Sequence, residues 1–359
     1  MRRARKMKAS ARAMALLLAG SMALAACASD EPAAEGGGEG GGGAAAEELR
    51  VGLAYDTGGR GDRSFNDSAY TGAAAATDAL GGELQELSPN DDASNRADLL
   101  VQLAEQGFNP VIAVGFNYDD VIAEVAPQFP DTTFAQVDGS NADGAKGDNV
   151  TGLIFAEEEG SFLAGVAAAL KSESGRVGFV GGVESPLIEK FEAGYVAGAQ
   201  AVNPQITVDR QYISPAGDFS GFNDPARGQI VAQGMFDGGA DIVYHAAGGS
   251  GLGVFQAAAA SGNRAIGVDS DQYLTVSDPA LQAVIMTSML KRVDNAVEGF
   301  INDYAEGNVE GATDVLNDLS TEGIDLATSG GFIDDIQSEI DQYKQQIIDG
   351  TVTVPTTIE

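Results

Sequence analysis

Along this chain, short continuous apolar runs alternate with longer stretches of helix-forming residues, and that alternation limits the fold more than any other feature. Residues 49–55, 83–87, 110–115 and 132–138 read as strands, and residues 66–80, 95–106 and 119–129 between them read as helices. Leu99, Leu100 and Leu103 share one face of the second helix, and Ser94 stands where its N-cap belongs. Strands that are apolar on both faces and joined by helices predict a parallel sheet covered on both sides. The first unit is a strand, then a glycine-rich polar loop, then a helix, and sheets of this kind bind ligands beyond the carboxyl ends of their strands. Within that loop stand Asp56, Asp62, Phe65, Asn66 and Asp67. An aromatic beside carboxylates and an amide suits a flat, polyhydroxylated ligand.

The pattern then starts again. Residues 149–155 are extended and 158–172 helical. Strands at 176–181, 207–214, 241–246 and 265–269 alternate with helices at 188–202, 224–234 and 252–261. A chain of 359 residues has length for two cores. Two consecutive series of similar size predict two similar lobes with a cleft between them. Residues 283–291 read as an extended crossover, 292–304 as a helix, 315–319 as a strand and 333–348 as a closing helix. The pattern alone does not assign the last of these to a lobe.

The N-terminus is a separate matter. Arg2, Arg3, Arg5, Lys6, Lys8 and Arg12 precede an apolar run over residues 13–26, the layout of a secretory signal too short to remain as a membrane span. Leu24-Ala25-Ala26-Cys27 resembles a bacterial lipobox, which would lipidate Cys27 and anchor the protein on the extracytoplasmic face of the cell membrane. The bland alternative is an ordinary signal with a chance cysteine. Cys27 is the only cysteine, so disulfides are excluded. Residues 28–48 are mostly Gly, Ala and Glu, a flexible tether spanning about 25 Å on average. The formal charge of −33 falls to −39 once the six basic residues leave with the signal. A surface this acidic repels nucleic acid and anionic headgroups.

Several motifs in order then point to a family: residues 56–66 with Asp138, Glu159-Gly-Ser-Phe-Leu-Ala-Gly165, Gly178-Phe-Val-Gly-Gly182, Asp224-Pro-Ala-Arg-Gly228, residues 240–249, and Ile266-Gly-Val-Asp-Ser-Asp-Gln272. Together they resemble the basic membrane protein family of lipoproteins, the purine nucleoside receptors of ABC importers, from about residue 49 onward. The resemblance implies an α/β, type I periplasmic-binding-protein fold: two Rossmann-like lobes, three crossovers acting as a hinge, and ligand in the interlobe cleft. It places the N-terminal lobe at 49–156 with 292–318 returning to it, and the C-terminal lobe at 157–291, leaving 319–359 unassigned. It also implies a membrane permease as partner and a purine nucleoside such as adenosine, guanosine or inosine as ligand.

Each candidate residue has a plainer reading beside the functional one. Phe65 and Phe222 stand in polar loops before helices of opposite series; they could sandwich a purine ring or staple their helices. Phe219 is a rival to Phe222. The resemblance puts Asp269 and Lys291 on a ribose, the carboxylate accepting from hydroxyls and the lysine neutralising it; the alternative is a surface ion pair. Asp56, Asn66 and Asp138 offer acceptors and donors to the polar edge of a purine, or serve as turn and cap residues. Gly248, carried over from the family, lies in a glycine-rich loop that fails the dinucleotide motif because Val254 replaces its last glycine. Its plainer role is a turn needing positive φ. His245, the only histidine, reads as a buried, hydrogen-bonded core residue, and Asp271 as solvated.

Three functions compete on this reading. One is a lipid-anchored nucleoside receptor. Another is a sugar receptor of the same fold, for which a single aromatic face would be expected. The last is an enzyme with Asp56, Asp62 and Asp67 holding a divalent cation; no cysteine or Ser–His arrangement supplies a nucleophile. The expectation is no catalysis, no metal and no cofactor.

Overall fold

The computed structural model describes residues 48–90 and 93–358. The signal, Cys27 and all but the end of the tether lie outside the described residues. In chain order the elements are β1 (Arg50–Ala54), α1 (Phe65–Leu80), β2 (Glu83–Leu87), α2 (Arg96–Glu105), β3 (Val111–Val114), α3 (Asp119–Val125), β4 (Phe134–Val137) and β5 (Val150–Phe155). There follow α4 (Glu157–Lys171), β6 (Arg176–Val183), α5 (Pro186–Val202), β7 (Thr207–Ser214), α6 (Pro225–Asp237), β8 (Ile242–Ala246), α7 (Gly251–Ser261) and β9 (Arg264–Asp269). The chain ends with α8 (Gln272–Thr275), α9 (Pro279–Gln282), β10 (Ile285–Lys291), α10 (Val293–Glu306), β11 (Thr313–Asn317), β12 (Ile324–Leu326) and α11 (Gln337–Ile348).

The strands form two six-stranded sheets, in the orders β11-β5-β4-β3-β1-β2 and β12-β10-β9-β8-β6-β7. The orders correspond position by position, so the two lobes are built to one plan. Every pairing is parallel except β12 on β10. Alternation along the strands explains why both faces are covered. In β3, Ile112 and Val114 point to the core shared by both lobes, while Val111 and Ala113 point to a second core under α2 and α3. In β8, Ile242, Tyr244 and Ala246 take the shared side and Val243 the other. The chain changes sheet three times: between β5 and α4, at Arg292 between β10 and α10, and between β11 and β12. Residues 283–291 are therefore not themselves a crossover: after two residues of turn they form β10, a full strand of the second sheet. β12 joins that same sheet and α11 packs on α4.

Some local boundaries differ from the sequence pattern. The helix expected over 119–129 stops at Val125, because Pro127 enters a 3₁₀ turn at Ala126–Gln128. The late strand is Thr313–Asn317 rather than 315–319. β12, α8 and α9 are too short to show a period.

Small residues bring α4 and α5 together. A Cβ on Gly198 would collide with the Phe162 carbonyl, one on Gly194 with the Glu158 carbonyl, and one on Gly165 with the Tyr195 carbonyl. By contrast, Gly234 in α6 has open space around it. Overpacking costs about 1–3 kcal/mol, whereas removing a helix-interior glycine with room for a methyl gains about 0.5–1 kcal/mol. Gly198→Ala should therefore lower the urea midpoint and Gly234→Ala should raise it. Equal midpoints would mean that the α4–α5 approach is not limited by these carbonyls.

Candidate functional site

The carboxyl ends of the two sheets face one cleft of about 550 Å³, counting its open mouth. Asp56, Phe65, Asn66 and Asp138 line it from the first lobe, and Phe222, Gly248, Asp269 and Lys291 from the second. The structure thus brings all eight singled-out residues together.

The β1–α1 loop builds the first wall. Asp56 lies two residues past the end of β1, and its Oδ1 accepts from the Thr57 amide at 2.7 Å, Arg96 Nη2 at 3.1 Å and Asn117 Nδ2 at 3.0 Å. Gly115, at φ 107°, leaves room for this carboxylate, which a Cβ there would strike. Asn66 does not cap α1. Its Oδ1 accepts from the Asp56 amide at 3.0 Å and its Nδ2 donates to Asp62 at 3.1 Å. Asp62 takes the capping role, accepting from the amides of Ser64, Asn66 and Asp67. Burial still pushes its carboxyl up to about 6.

Asp138 and Asp269 occupy equivalent places, one just past β4 and the other ending β9, the matching strand. Both adopt left-handed backbone, φ 65° and 64°. Aspartate tolerates this conformation better than most residues, and such strain collects at functional sites. It turns both carboxylates toward the cleft.

Lys291 ends β10 and is 1% exposed, so it is not a surface ion pair. Nor is Asp269 its direct partner. Its Nζ lies 2.6 Å from Asp138 Oδ1 and 3.0 Å from Glu157 Oε1, under the rings of Phe155 at 4.9 Å, Phe65 at 5.3 Å and Phe191 at 5.5 Å. Asp269 instead accepts from Ser64 Oγ at 2.5 Å. Burial pushes Asp138 up to about 7, against the pull of Lys291. Burial also raises Asp269, opposed by Lys291 and Ser64. Burial alone would lower Lys291, but the three surrounding carboxylates outweigh it and raise it.

Aromatic rings form the side walls. Phe222 ends a 3₁₀ turn and packs where Gly182 lacks a Cβ that would strike its ring. It meets Phe116 edge-on at 6.4 Å. Phe219 stands behind Phe116 at 6.0 Å and is not part of the lining. Gly248 has φ 52° and lies against the Phe222 carbonyl, so its turn role is real alongside its place in the wall. His245 lies below, fully buried, edge-on to Phe255 at 5.1 Å, and burial lowers it to about 4. Asp271 is half-buried and accepts from Ser329 at 2.5 Å, rather than standing in solvent.

Sequence reasoning missed Phe116, Leu187, Ile188 and Phe191 in the lining and Glu157 behind it. Phe191 and Ile188 carry an ordinary helical core signal, and only the packing of α5 turns them to the cleft. The proposed cation site does not assemble. Asp56 is engaged by Arg96, Asp62 caps α1, and Asp67 accepts from the Gly61 and Arg63 amides and from Arg60. Among the described residues no acidic, cysteine or histidine cluster could hold a metal.

Lys291→Met keeps the apolar packing under the three rings and leaves Asp138 and Glu157 without their cation. Removing one partner of a buried pair costs about 3–5 kcal/mol. The sign of the pH dependence follows from the two shifts. Asp138 titrates near 3.8 ordinarily and at about 7 here, so the folded state binds its proton more tightly and this group's contribution falls as pH rises from about 4 to 7. Lys291 is shifted upward, so its contribution is present below its ordinary 10.5 and is lost only above that. With the lysine gone Asp138 is raised further, so the fall should continue beyond pH 7. Urea midpoints at pH 5 and pH 8 should separate more in Lys291→Met than in the parent, and equal separations would remove Lys291 as the stabiliser of these carboxylates.

The family model described as ABC transporter substrate-binding protein PnrA-like matches residues 50–357. The chain is 36% identical over 370 residues to the CD4+ T-cell-stimulating antigen of Listeria monocytogenes, across 98% of this chain and 99% of that one. It is 35% identical over 324 residues to the ABC transporter nucleoside-binding protein BmpA of Lactococcus lactis, across 86% and 90%. A crystal structure of ABC transporter system solute-binding proteins from Aeropyrum pernix K1 matches with a TM-score of 0.74 at 28% identity, covering 87% of this chain and 94% of that one. The fold is therefore that of the periplasmic binding proteins, and the expectation of a binding protein rather than an enzyme holds. Proteins of this kind bind a ligand and present it to a membrane permease. Two twinned sheets, an interlobe cleft and a match over nearly the whole folded chain agree: the chain belongs to the PnrA-like family of ABC transporter substrate-binding proteins.

Proposed function

We propose that this protein is a lipid-anchored receptor that closes on a purine nucleoside and delivers it to its permease. The observation that carries the reading is the division of labour in the cleft. Phe65, Phe116 and Phe222 offer apolar ring faces, and Asp56, Asp138 and Asp269 offer acceptors from three different strand ends. A purine fits the first set and the ribose hydroxyls and base N–H groups fit the second. The nucleoside-binding relative from Lactococcus lactis supports the same assignment. Aromatic walls contributed by both lobes favour a base over a bare sugar. Lys291, the cation that lines the cleft, is already engaged by Asp138 and Glu157, and Arg96 behind it by Asp56. A phosphate would meet uncompensated carboxylates, so the ligand is a nucleoside and not a nucleotide.

Calorimetry on the full chain with adenosine, guanosine, inosine, free bases, ribose, galactose and nucleoside monophosphates tests this. Heat with nucleosides and none with monophosphates is expected; binding of sugars alone would overturn it. A base stacked on an aromatic side chain is worth about 1–3 kcal/mol, and a charge-assisted hydrogen bond about 1.5–3 kcal/mol. Phe222→Ala and Asp269→Asn should each weaken nucleoside binding roughly tenfold or more, with melting temperatures close to the parent's, since asparagine keeps both the left-handed backbone and an acceptor for Ser64. Parent-like affinity in both would place the ligand elsewhere.

Anchoring rests on Cys27 and its preceding Leu24-Ala25-Ala26. Among the described residues no helix is long and apolar enough to cross a membrane. Cys27→Ser should move the protein from the membrane fraction to the soluble one, while continued sedimentation with membranes would exclude the thiol as the anchor.

A further inference from the structure

Two consecutive residues of the first lobe, Arg63 and Ser64, are bonded directly to the second. Ser64 Oγ donates to Asp269 Oδ2 at 2.5 Å. Ser270 Oγ donates to the Ser64 carbonyl at 3.0 Å. Gln272 Nε2 and Thr275 Oγ1 both donate to the Arg63 carbonyl, at 3.2 Å and 3.1 Å. Of the six residues in these bonds only Asp269 lines the cleft, so the contact closes the lobes without passing through a ligand.

Both sides are held for this contact. Arg63 has φ 56°, a left-handed backbone that is strained for a residue with a Cβ. That conformation persists only where surroundings over-determine it. Asp62 supplies one restraint by accepting from the Ser64 amide at 3.0 Å while capping α1. On the opposite side Gln272 is 2% exposed. Its Oε1 accepts from the Val268 amide at 2.9 Å and its own amide donates to Ser288 Oγ at 3.1 Å. The side chain is thereby aimed so that its Nε2 reaches Arg63. Ser64 is fully buried, and its bond to a carboxylate is the charge-assisted member of the set.

We infer that Arg63 and Ser64 form an interlobe latch that stabilises the closed cleft and sets its rate of release, with Ser64 a positioning residue that fixes Asp269 for the ligand. Ser64 engages Oδ2 and leaves Oδ1 to accept from the cleft. The inference rests on the cleft being the ligand site; the latch itself does not depend on which ligand enters. Overall affinity scales with the population of the closed form where that form is the minor one. Weakening the latch then raises Kd, and it does so through faster dissociation.

The test uses the full chain with Cys27→Ser and spin labels on Asp120→Cys and Ser277→Cys, exposed positions on opposite lobes. Without ligand, Ser64→Ala and Thr275→Val should each shift the interlobe distance distribution to longer values. Stopped-flow dissociation of guanosine or inosine should accelerate roughly tenfold in Ser64→Ala and less in Thr275→Val. Thr275→Ser, which restores the hydroxyl at an exposed site, should return both readouts to the parent's. Thr275→Val keeps the test alive should the buried Ser64→Ala fail to fold. Distance distributions and dissociation rates unchanged in Thr275→Val and Ser64→Ala would overturn the latch. Shifted distributions in the variants, together with a parent that binds no nucleoside, would leave the latch standing and overturn the nucleoside reading instead.

Discussion

The buried ammonium of Lys291 is the interaction on which the cleft depends. A lysine that is 1% exposed is costly to desolvate, and its position requires compensation from more than one direction. Asp138 comes from the first lobe, and Glu157 is the opening residue of α4, immediately after the chain has crossed from the first sheet to the second. Lys291 itself ends β10, where the chain is about to cross back. One charge is therefore shared by two of the three crossovers. Glu157 is further tied to Lys190 at 3.2 Å on α5. The hinge region and the floor of the site are held by the same few atoms.

The twinned sheets explain why this arrangement is possible. Equivalent strands place Asp138 and Asp269 at equivalent ends, in the same left-handed conformation. What breaks the symmetry is β10 against β5: the first ends in Lys291, the second in Phe155, and the ring of Phe155 lies 4.9 Å from the lysine. A cation and the aromatic face that shelters it thus come from matching positions of the two lobes. Close helix contact supports this geometry, since α4 carries Glu157 and is held against α5 by glycines that admit carbonyls where a Cβ would clash.

Much of this was legible in the chain. Apolar strands bounded by glycine and polar loops announced the parallel sheets, and the repetition of that pattern announced two lobes. Carboxylates at strand ends marked the cleft because doubly wound sheets leave those ends open. Partnerships were harder to read. The sequence placed Lys291 near Asp269, yet its partners are Asp138 and Glu157, because side-chain reach across a crossover has no periodic signature. Asn66 read equally well as a helix cap until the structure showed Asp62 already accepting those amides. Phe116, Ile188 and Phe191 looked like core residues, and they are apolar packing that happens to face a cavity. Period identifies which face of an element is apolar but not what lies opposite it.

The electrostatics of the cleft follow from these partnerships rather than from the net charge. The strongly acidic surface would repel any anion at long range, but screening confines that effect to about 10 Å at ordinary ionic strength. Inside the cleft the decisive fact is that Lys291 and Arg96 already have carboxylate partners, while Asp138, Asp269 and Asp56 line the cavity. Buried acceptors without donors are costly. Ser64 relieves part of that cost at Asp269 from within the protein, and donor hydroxyls of a neutral ligand would relieve more. On the proposed reading, a molecule carrying several donors would offset more of that cost.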